Sequence, residues 1–461
     1  MASTGVPGLA VVVVQGDRKL YAKGFGMRDV STQLPVNADT VFQLASISKS
    51  VGATVVALEV GMGRVSWDQP LREILPWFEL SDPNASKLVT VGDRYAHRAG
   101  LPEHIGDRLE DMGCSQRQVL ERLRYVPLKG FRTRYEYTNF GMTAGGIGVS
   151  QAAGVDWVQL CEQAIYGPLD MARTSSRFDD FMNRDNRVNA HALVGGRWVV
   201  STLRRPDAQA PAASVTSSVN DMARWLSMLL GGGSYAGSQV VRPAALASAI
   251  SPQIEVAPAA NGRSASFYGY GFGDGTTTGG RNFYSHSGAF SLGTATTFKV
   301  VPSTGLGIVV LSNGQPIGVP EIVAEQFFDL VEHGFIQRDY AATFKPLIDA
   351  LNAPEGSLVG KAQPPSPALP MALSAYTGTY RNDYYGSFEI GVFNNALMMM
   401  LCAAPLKLAL AHWDGNMFTF TFTFPLANEN ASPGSASKAS FGIERVTLEY
   451  YDKERLGTFI R

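Results

Sequence analysis

Two residues three positions apart, Ser46 and Lys49, have the types and spacing for nucleophilic chemistry. If Ser46 opens a helix, an i, i+3 pair shares one face, so the amine can reach the hydroxyl. The helix start also supplies unbonded backbone N–H groups and a partial positive charge, which favour an anion forming beside Ser46. A neighbouring amine that can shed its proton would make that serine a nucleophile. The bland alternative is a helix cap followed by a solvated lysine. A second S-x-x-K, Ser435–Lys438, lies in a Ser/Gly/Asn-rich stretch that reads as a loop.

Two further stretches add candidate partners. Tyr137-Thr138-Asn139 holds a tyrosine that could act as a base if a nearby cation lowered its pKa from about 10. Lys49 would supply that charge, and the Asn139 amide could hold the lysine or bind a substrate carbonyl. Y-x-N recurs at Tyr380-Arg381-Asn382, so the motif alone decides nothing. His286-Ser287-Gly288 is an H-x-G, a pattern that recurs at His104-Ile105-Gly106. A strand edge at 286–288 could offer a backbone N–H to an oxyanion, and the glycine would let substrate approach closely. His97 and His104 flank a Gly-Leu-Pro turn and read as structural rather than metal-binding.

The elements that must position these residues can be read in outline. Leu9–Val14 and Lys19–Gly24 are β-rich runs around a Gln15-Gly16-Asp17-Arg18 turn. From Ser46 to about Glu59 the pattern is small and apolar, closed by Gly61 and Gly63, as for a helix buried on most sides. Burial of that kind would place Lys49 in a low-dielectric site that depresses its pKa. Helices are expected over Ser115–Leu123, Met142–Gly154 and Met222–Leu230, with strands over Thr294–Val301 and Gly307–Ser312. A terminal helix, Pro320–His333, should turn Val323, Phe327, Phe328 and Val331 inward. Strands thus open and close the region, which implies one sheet assembled from both ends and a helical insert.

Beyond it, Pro354, Pro364, Pro365, Pro367 and Pro370 mark a linker. Met417–Phe424 then alternates with period two, a strong strand signal. Tyr376–Arg381, Ser387–Val392, Ala396–Leu401, Ile443–Tyr450 and Gly457–Ile460 are further strand candidates, with turns at Asn394-Asn395 and Asp414-Gly415. Short antiparallel strands in such number suggest a small barrel. The expected fold is α+β, an antiparallel sheet flanked by helices with a helical subdomain, plus a C-terminal antiparallel β-barrel. The expected divisions are 1–345, a Pro-rich linker at 346–370, and the barrel at 371–461.

Composition narrows the function classes. The chain has 461 residues, 45% hydrophobic and 17% charged, with a net charge of −1. That is ample for two or three domains. The near-zero charge argues against nucleic acid or an anionic membrane surface as the main partner. Cys114, Cys161 and Cys402 are far apart, so neither a disulfide framework nor a cysteine zinc site is expected. The longest apolar stretch, Ala396 to Ala411, is broken by Pro405 and Lys407 and is too short to span a membrane. No signal peptide is visible, which leaves open a cytoplasmic protein or an exported one whose leader is missing.

The order S-x-x-K, Y-x-N, H-x-G resembles the serine β-lactamase and penicillin-binding-protein superfamily. The nearest likeness is the class C β-lactamase-like branch of esterases, D-aminopeptidases and related peptidases. Gly5-Val6-Pro7-Gly8-Leu9, Gly24-Phe25-Gly26, Thr40-Val41-Phe42 and His97-Arg98-Ala99-Gly100-Leu101-Pro102 carry the likeness across about residues 5 to 335. Tyr376-Thr377-Gly378-Thr379-Tyr380 is similar to the start of a lipocalin-like domain appended to some members. The resemblance implies that Ser46 attacks an ester or amide carbonyl and forms an acyl-enzyme. Lys49 and Tyr137 would share the proton transfers, either serving as base. The N–H groups of Ser46 and Ala289 would form the oxyanion hole, and Asn139, His286, Ser287 and Gly288 would bind substrate. No metal or organic cofactor is implied.

Two departures from that family pattern matter. Penicillin-recognising members usually carry Lys-Thr-Gly where this chain has His286-Ser287-Gly288, and a mostly neutral histidine binds a carboxylate poorly at pH 7. The family also usually has a helix before the first strand, which would otherwise leave sheet surface for another chain to cover. Three readings remain open: a hydrolase of small carboxylic esters with promiscuous amide or β-lactam activity, a D-amino-acid peptidase or amidase, and a non-catalytic binding relative. The expected partner is a small-molecule ester, amide or short peptide. A homo-oligomer is left open.

Overall fold

The apolar run at the start of the chain becomes β1 (Gly8–Gln15), which turns through a tight hairpin into β2 (Arg18–Gly26). These coordinates are a computed structural model that describes residues 4–260, 264–401, 407–422 and 431–461. Strands from the far end of the domain complete the sheet: β3 (Ile254–Ala257), β4 (Ser266–Tyr268), β5 (Gly273–Thr276), β6 (Asn282–Phe290), β7 (Thr294–Val301) and β8 (Leu306–Ser312). They hydrogen-bond in the order β2-β1-β8-β7-β6-β5-β4-β3, every neighbour antiparallel. The sheet is therefore closed by pairing the first strand with the last, Leu9 opposite Ser312.

Each face of the sheet buries a different set of helices. The helices that matter for the site are α1 (Ile47–Gly61), α2 (Val91–Tyr95) and α3 (Asn139–Ala153), with α4 (Val219–Leu230) against β1 and β8. Trp225 of α4 meets Phe298 of β7 edge-on at 5.0 Å. On the opposite face α5 (Val319–His333) packs Val319, Ala324 and Phe328 onto Leu9, Val11, Val13, Ile308 and Val310. Val323 and Phe327 join that cluster as expected, whereas Val331 is 42% exposed. Val331 sits in the last turn of α5, two residues before the helix ends. Nor is α5 the last helix, because α6 (Tyr340–Leu351) follows it and runs through Pro346 into the start of the proline-rich stretch.

The chain divides into two compact units. One takes in residues up to Trp77, Lys87–Leu101 and Lys129–Asp349. The other joins Phe78–Ser86 and Pro102–Leu128 to the chain from Ala350 onward. Nothing in the sequence signals that the segment 102–128 groups with the C-terminal region. Within this second unit, Arg108 lies 4.0 Å over the Tyr450 ring, donates to the Tyr450 carbonyl, and pairs with Glu355 at 2.7 Å.

The C-terminal region is a closed barrel of eight antiparallel strands. They are β9 (Gly378–Asn382), β10 (Gly386–Phe393), β11 (Ala396–Leu401), β12 (Lys407–Asp414), β13 (Met417–Thr421), β14 (Ala436–Gly442), β15 (Arg445–Leu448) and β16 (Thr458–Ile460). The Asn394-Asn395 turn has both residues at positive φ, 49° and 60°, as a tight two-residue hairpin requires. Inward rings fill the middle: Tyr380 on Phe388 at 5.7 Å, Phe418 on Phe441 at 5.5 Å, Phe388 on Phe459 at 4.7 Å. An eight-stranded barrel is just wide enough to be packed this way by its own side chains. Two strands, β12 and β14, have no counterpart among the sequence candidates. Of the run Met417–Phe424, Thr423 and Phe424 lie outside the described residues, as does Cys402.

Candidate active site

The start of α1 departs from an ordinary helix start in two ways. Ser46 occupies the N-cap position, but its side chain makes no capping hydrogen bond, which leaves Oγ for other partners. The preceding Ala45 is held at φ 48°, a left-handed conformation that costs a non-glycine residue energy and clusters at functional sites. One turn on, Lys49 is fully buried, so the solvated-lysine alternative does not hold.

Three parts of the chain converge on Ser46 Oγ. The Lys49 ammonium nitrogen lies 3.1 Å from it, and the Tyr137 hydroxyl donates to it at 2.7 Å. Lys49 Nζ also donates to Asn139 Oδ1 at 2.7 Å and to the Ala212 carbonyl at 3.0 Å. Those two acceptors can only take protons, so they fix two N–H bonds of the amine and aim its third direction at the serine. That third position can hold a proton or a lone pair, which is the requirement for a group that takes a proton and later returns it. Lys49 Nζ also sits 4.7 Å from the centre of the Tyr137 ring.

Strand β6 supplies the opposite wall. Its pairing with β5 stops at Ser285, so the stretch from His286 to Phe290 runs on beside α1 with β7 as its one strand neighbour among the described residues. A Cβ at Gly288 would fall 2.3 Å from the Leu44 carbonyl and 2.8 Å from the Ser46 nitrogen. Only glycine lets the strand pass this close to Ser46. Phe290 then packs against Ala45 and Ala213.

His286 faces the site with both ring nitrogens engaged. Nδ1 lies 2.5 Å from the Ser287 carbonyl, so it carries the proton, and Nε2 accepts from the Tyr268 hydroxyl at 2.9 Å. Burial, reinforced by the neighbouring Lys49 charge, pushes its pKa down to about 3 against the opposing Ser287 hydrogen bond. The ring is neutral at any ordinary pH. Ser287 alternates to the other side of the strand, where its hydroxyl meets Thr297 Oγ1 at 3.1 Å and the Glu321 side chain of α5. Of the residues expected to bind substrate, Asn139, His286 and Gly288 therefore lie around Ser46 and Lys49 and the Ser287 side chain does not. Ala289 follows Gly288 on the exposed side of β6. Sequence reasoning missed Tyr268, whose only signal was its place in the Tyr/Gly-rich run before β5.

With this geometry in hand, comparison with known proteins identifies the family. The Beta-lactamase family model matches residues 1–327, and the chain belongs to that family of serine hydrolases. A second model, a domain of unknown function (DUF3471), matches residues 361–442. The chain is similar to Unguisins hydrolase ungD of Aspergillus violaceofuscus, 22% identical over 95% of this chain and 84% of that protein. It is also similar to Protein flp of Staphylococcus aureus, 22% identical over 71% of this chain and 64% of that one, just under two thirds of its length. Among solved structures, the octameric penicillin-binding protein homologue from Pyrococcus abyssi shares the fold. Its TM-score is 0.63 at 20% identity, covering 100% of this chain and 97% of that one.

Proposed function

We propose that this protein hydrolyses small carboxylic esters through an acyl-enzyme on Ser46, with amides and β-lactams as poorer substrates. The observation that carries this reading is the pair of short contacts on one hydroxyl, Tyr137 at 2.7 Å and Lys49 at 3.1 Å. Ser46 Oγ attacks the carbonyl carbon while its proton passes to the Lys49–Tyr137 pair. The carbonyl oxygen becomes an anion, which the N–H groups of Ser46 and Ala289 stabilise. The pair then protonates the departing alcohol, and water enters by the same route in reverse. Because the two groups share one proton, their titrations belong to the pair rather than to either residue.

His286 supports the ester preference. A β-lactam or a peptide ending in a free carboxylate brings a negative charge beside the scissile bond. At this position the chain offers a neutral ring whose one proton is already given to the Ser287 carbonyl. An ester of a plain alcohol makes no such demand. The C-terminal region, taken as a separate lipocalin-like domain over 371–461, is read as a packed module and not as a ligand carrier. The octameric relative supports a homo-oligomer, which light scattering of the purified chain would test.

A substrate panel tests the reading. Wild type and Ser46→Ala would be compared on p-nitrophenyl acetate and butyrate, a D-alanyl anilide and a chromogenic cephalosporin. Ester turnover is expected well above cephalosporin turnover, with all of it lost in Ser46→Ala. Full activity in that variant would sink the mechanism. Faster turnover of the anilide than of the esters would favour the peptidase reading instead.

A further inference from the structure

Tyr137 sits in an extended segment just before α3, and a tyrosine there needs something to fix its hydroxyl on Ser46. The segment is held from one side by a single residue, His97. The His97 carbonyl accepts the Glu136 N–H at 2.9 Å, and the His97 ring nitrogen Nδ1 accepts the Thr138 N–H at 3.1 Å. The N–H groups of the residues before and after Tyr137 are thus both bonded to one histidine. The same ring packs on the Tyr137 ring, centroids 4.6 Å apart, and on the ring of Tyr268 at 5.1 Å. Tyr268 in turn holds His286. His97 therefore lies between the group that moves the proton and the group on the recognition strand.

The backbone of His97 is itself held under strain. It has φ 54° in a buried position, a conformation that persists only where the surroundings over-determine it. The surroundings here are explicit. Arg98, the next residue, donates to Asp93 at 2.8 Å, and Arg132, five residues before Tyr137, donates to the same carboxylate at 2.7 Å. Asp93 is fully buried at the N-terminal turn of α2, where it also closes a capping box with Thr90. One carboxylate thus ties together both arms of the clamp, the His97 loop and the chain leading to Tyr137.

We propose that His97 is a positioning residue for the acylation step: it sets the Tyr137 hydroxyl on Ser46 through its Nδ1 lone pair and its ring face. The proposal rests on the hydrolase reading above. Because Nδ1 accepts from a backbone N–H, the ring must be neutral with its proton on Nε2. Misplacing a proton-transfer group by about 1 Å costs up to about 100-fold in rate while leaving ground-state binding nearly untouched.

The test compares wild type, His97→Phe and His97→Asn on p-nitrophenyl butyrate. Phenylalanine keeps a ring face but no acceptor; asparagine restores an acceptor without the ring. His97→Phe is expected to lose about 100-fold in kcat with KM within about twofold. His97→Asn should recover a clear part of that loss, at melting temperatures that match between the two variants. Equal damage in both, or loss confined to KM, would overturn the proposal. A readout on the unaltered protein stands even if a variant does not fold. Nitrogen-15 spectra of histidine-labelled wild type should show one buried ring in the Nε2–H form, and His97 found in the Nδ1–H form would overturn the proposal. An inactive wild type would instead count against the hydrolase reading, without touching the tautomer result.

Discussion

The chain contains the same four-residue pattern twice, and the two copies end differently. Ser46 and Lys49 are on the first turn of a helix, where residues three apart face the same way, and their side chains meet at 3.1 Å. Lys438 lies in strand β14, which begins one residue after Ser435. In extended chain, residues three apart point to opposite faces, so this pair cannot meet. Ser435 Oγ instead accepts from the Glu355 N–H at 2.9 Å and donates to the Ser432 carbonyl at 2.6 Å, closing a turn. Lys438 Nζ lies 3.8 Å from Glu449. A motif is chemistry only in the secondary structure that folds its spacing into a contact.

Breaking the first copy should therefore be catastrophic for activity and nearly silent for folding. Ser46→Ala or Lys49→Met is expected to lower kcat on p-nitrophenyl butyrate by about 10,000-fold or more, each alone costing nearly what both cost together, because they act as one unit. Tyr137→Phe should cost about 100-fold or more, the usual worth of a placed proton-transfer group. Steady-state kinetics with active-site titration checks both. Loss of KM alone would mean that the contacts hold substrate and do not move protons.

The support behind the first copy has no parallel at the second, and it should show in the pH dependence of stability. Burial alone would raise the Asp93 carboxyl, but the hydrogen bonds from Arg132 and Arg98 outweigh it and hold the pKa below the ordinary value. A depressed folded pKa means the stabilisation is fully present above the unfolded value of about 3.9 and is lost as pH falls through the folded one. Denaturant melts from pH 7 down to pH 3 should show this loss in wild type. Asp93→Asn should flatten that acid limb and cost about 1 to 3 kcal/mol at pH 7, since it leaves two partly exposed arginines facing a neutral amide. An unchanged acid limb would remove Asp93 from the account.

How much of this was legible before the fold was known follows from which interactions are local. The hairpin, the buried helix after Ser46 and the strand from Thr294 to Val301 are written in local runs of β-rich or small apolar residues bounded by turn residues, and they appear where those runs place them. The strands β12 and β14 were not legible, because Ala and Ser at alternate positions carry little β-preference until neighbours in a barrel pair with them. Ser46 and Lys49 were legible through spacing. Tyr137 and His286 were legible through order along the chain. The outward turn of the Ser287 side chain, the Tyr268 bond to His286 and the His97 clamp were not, since each depends on register or on contacts between segments far apart in sequence. The grouping of residues 102–128 with the C-terminal region is of the same kind.

The weakest expected effects fall on the second copy, and they sharpen the comparison most. Ser435→Ala removes an acceptor for the Glu355 N–H and a donor to Ser432, at a site only 2% exposed. That should cost about 1 kcal/mol of stability, the net worth of a hydrogen bond, and nothing in kcat. Lys438→Met should cost less still: its ion pair with Glu449 is long and a third exposed, and pairs of that kind contribute about 0 to 1 kcal/mol. The measurement is a denaturant melt alongside the ester assay. If either substitution lowered kcat on p-nitrophenyl butyrate while the melt stayed put, the two copies would not be separable as argued. Helix against strand would then be the wrong explanation for how the two copies differ.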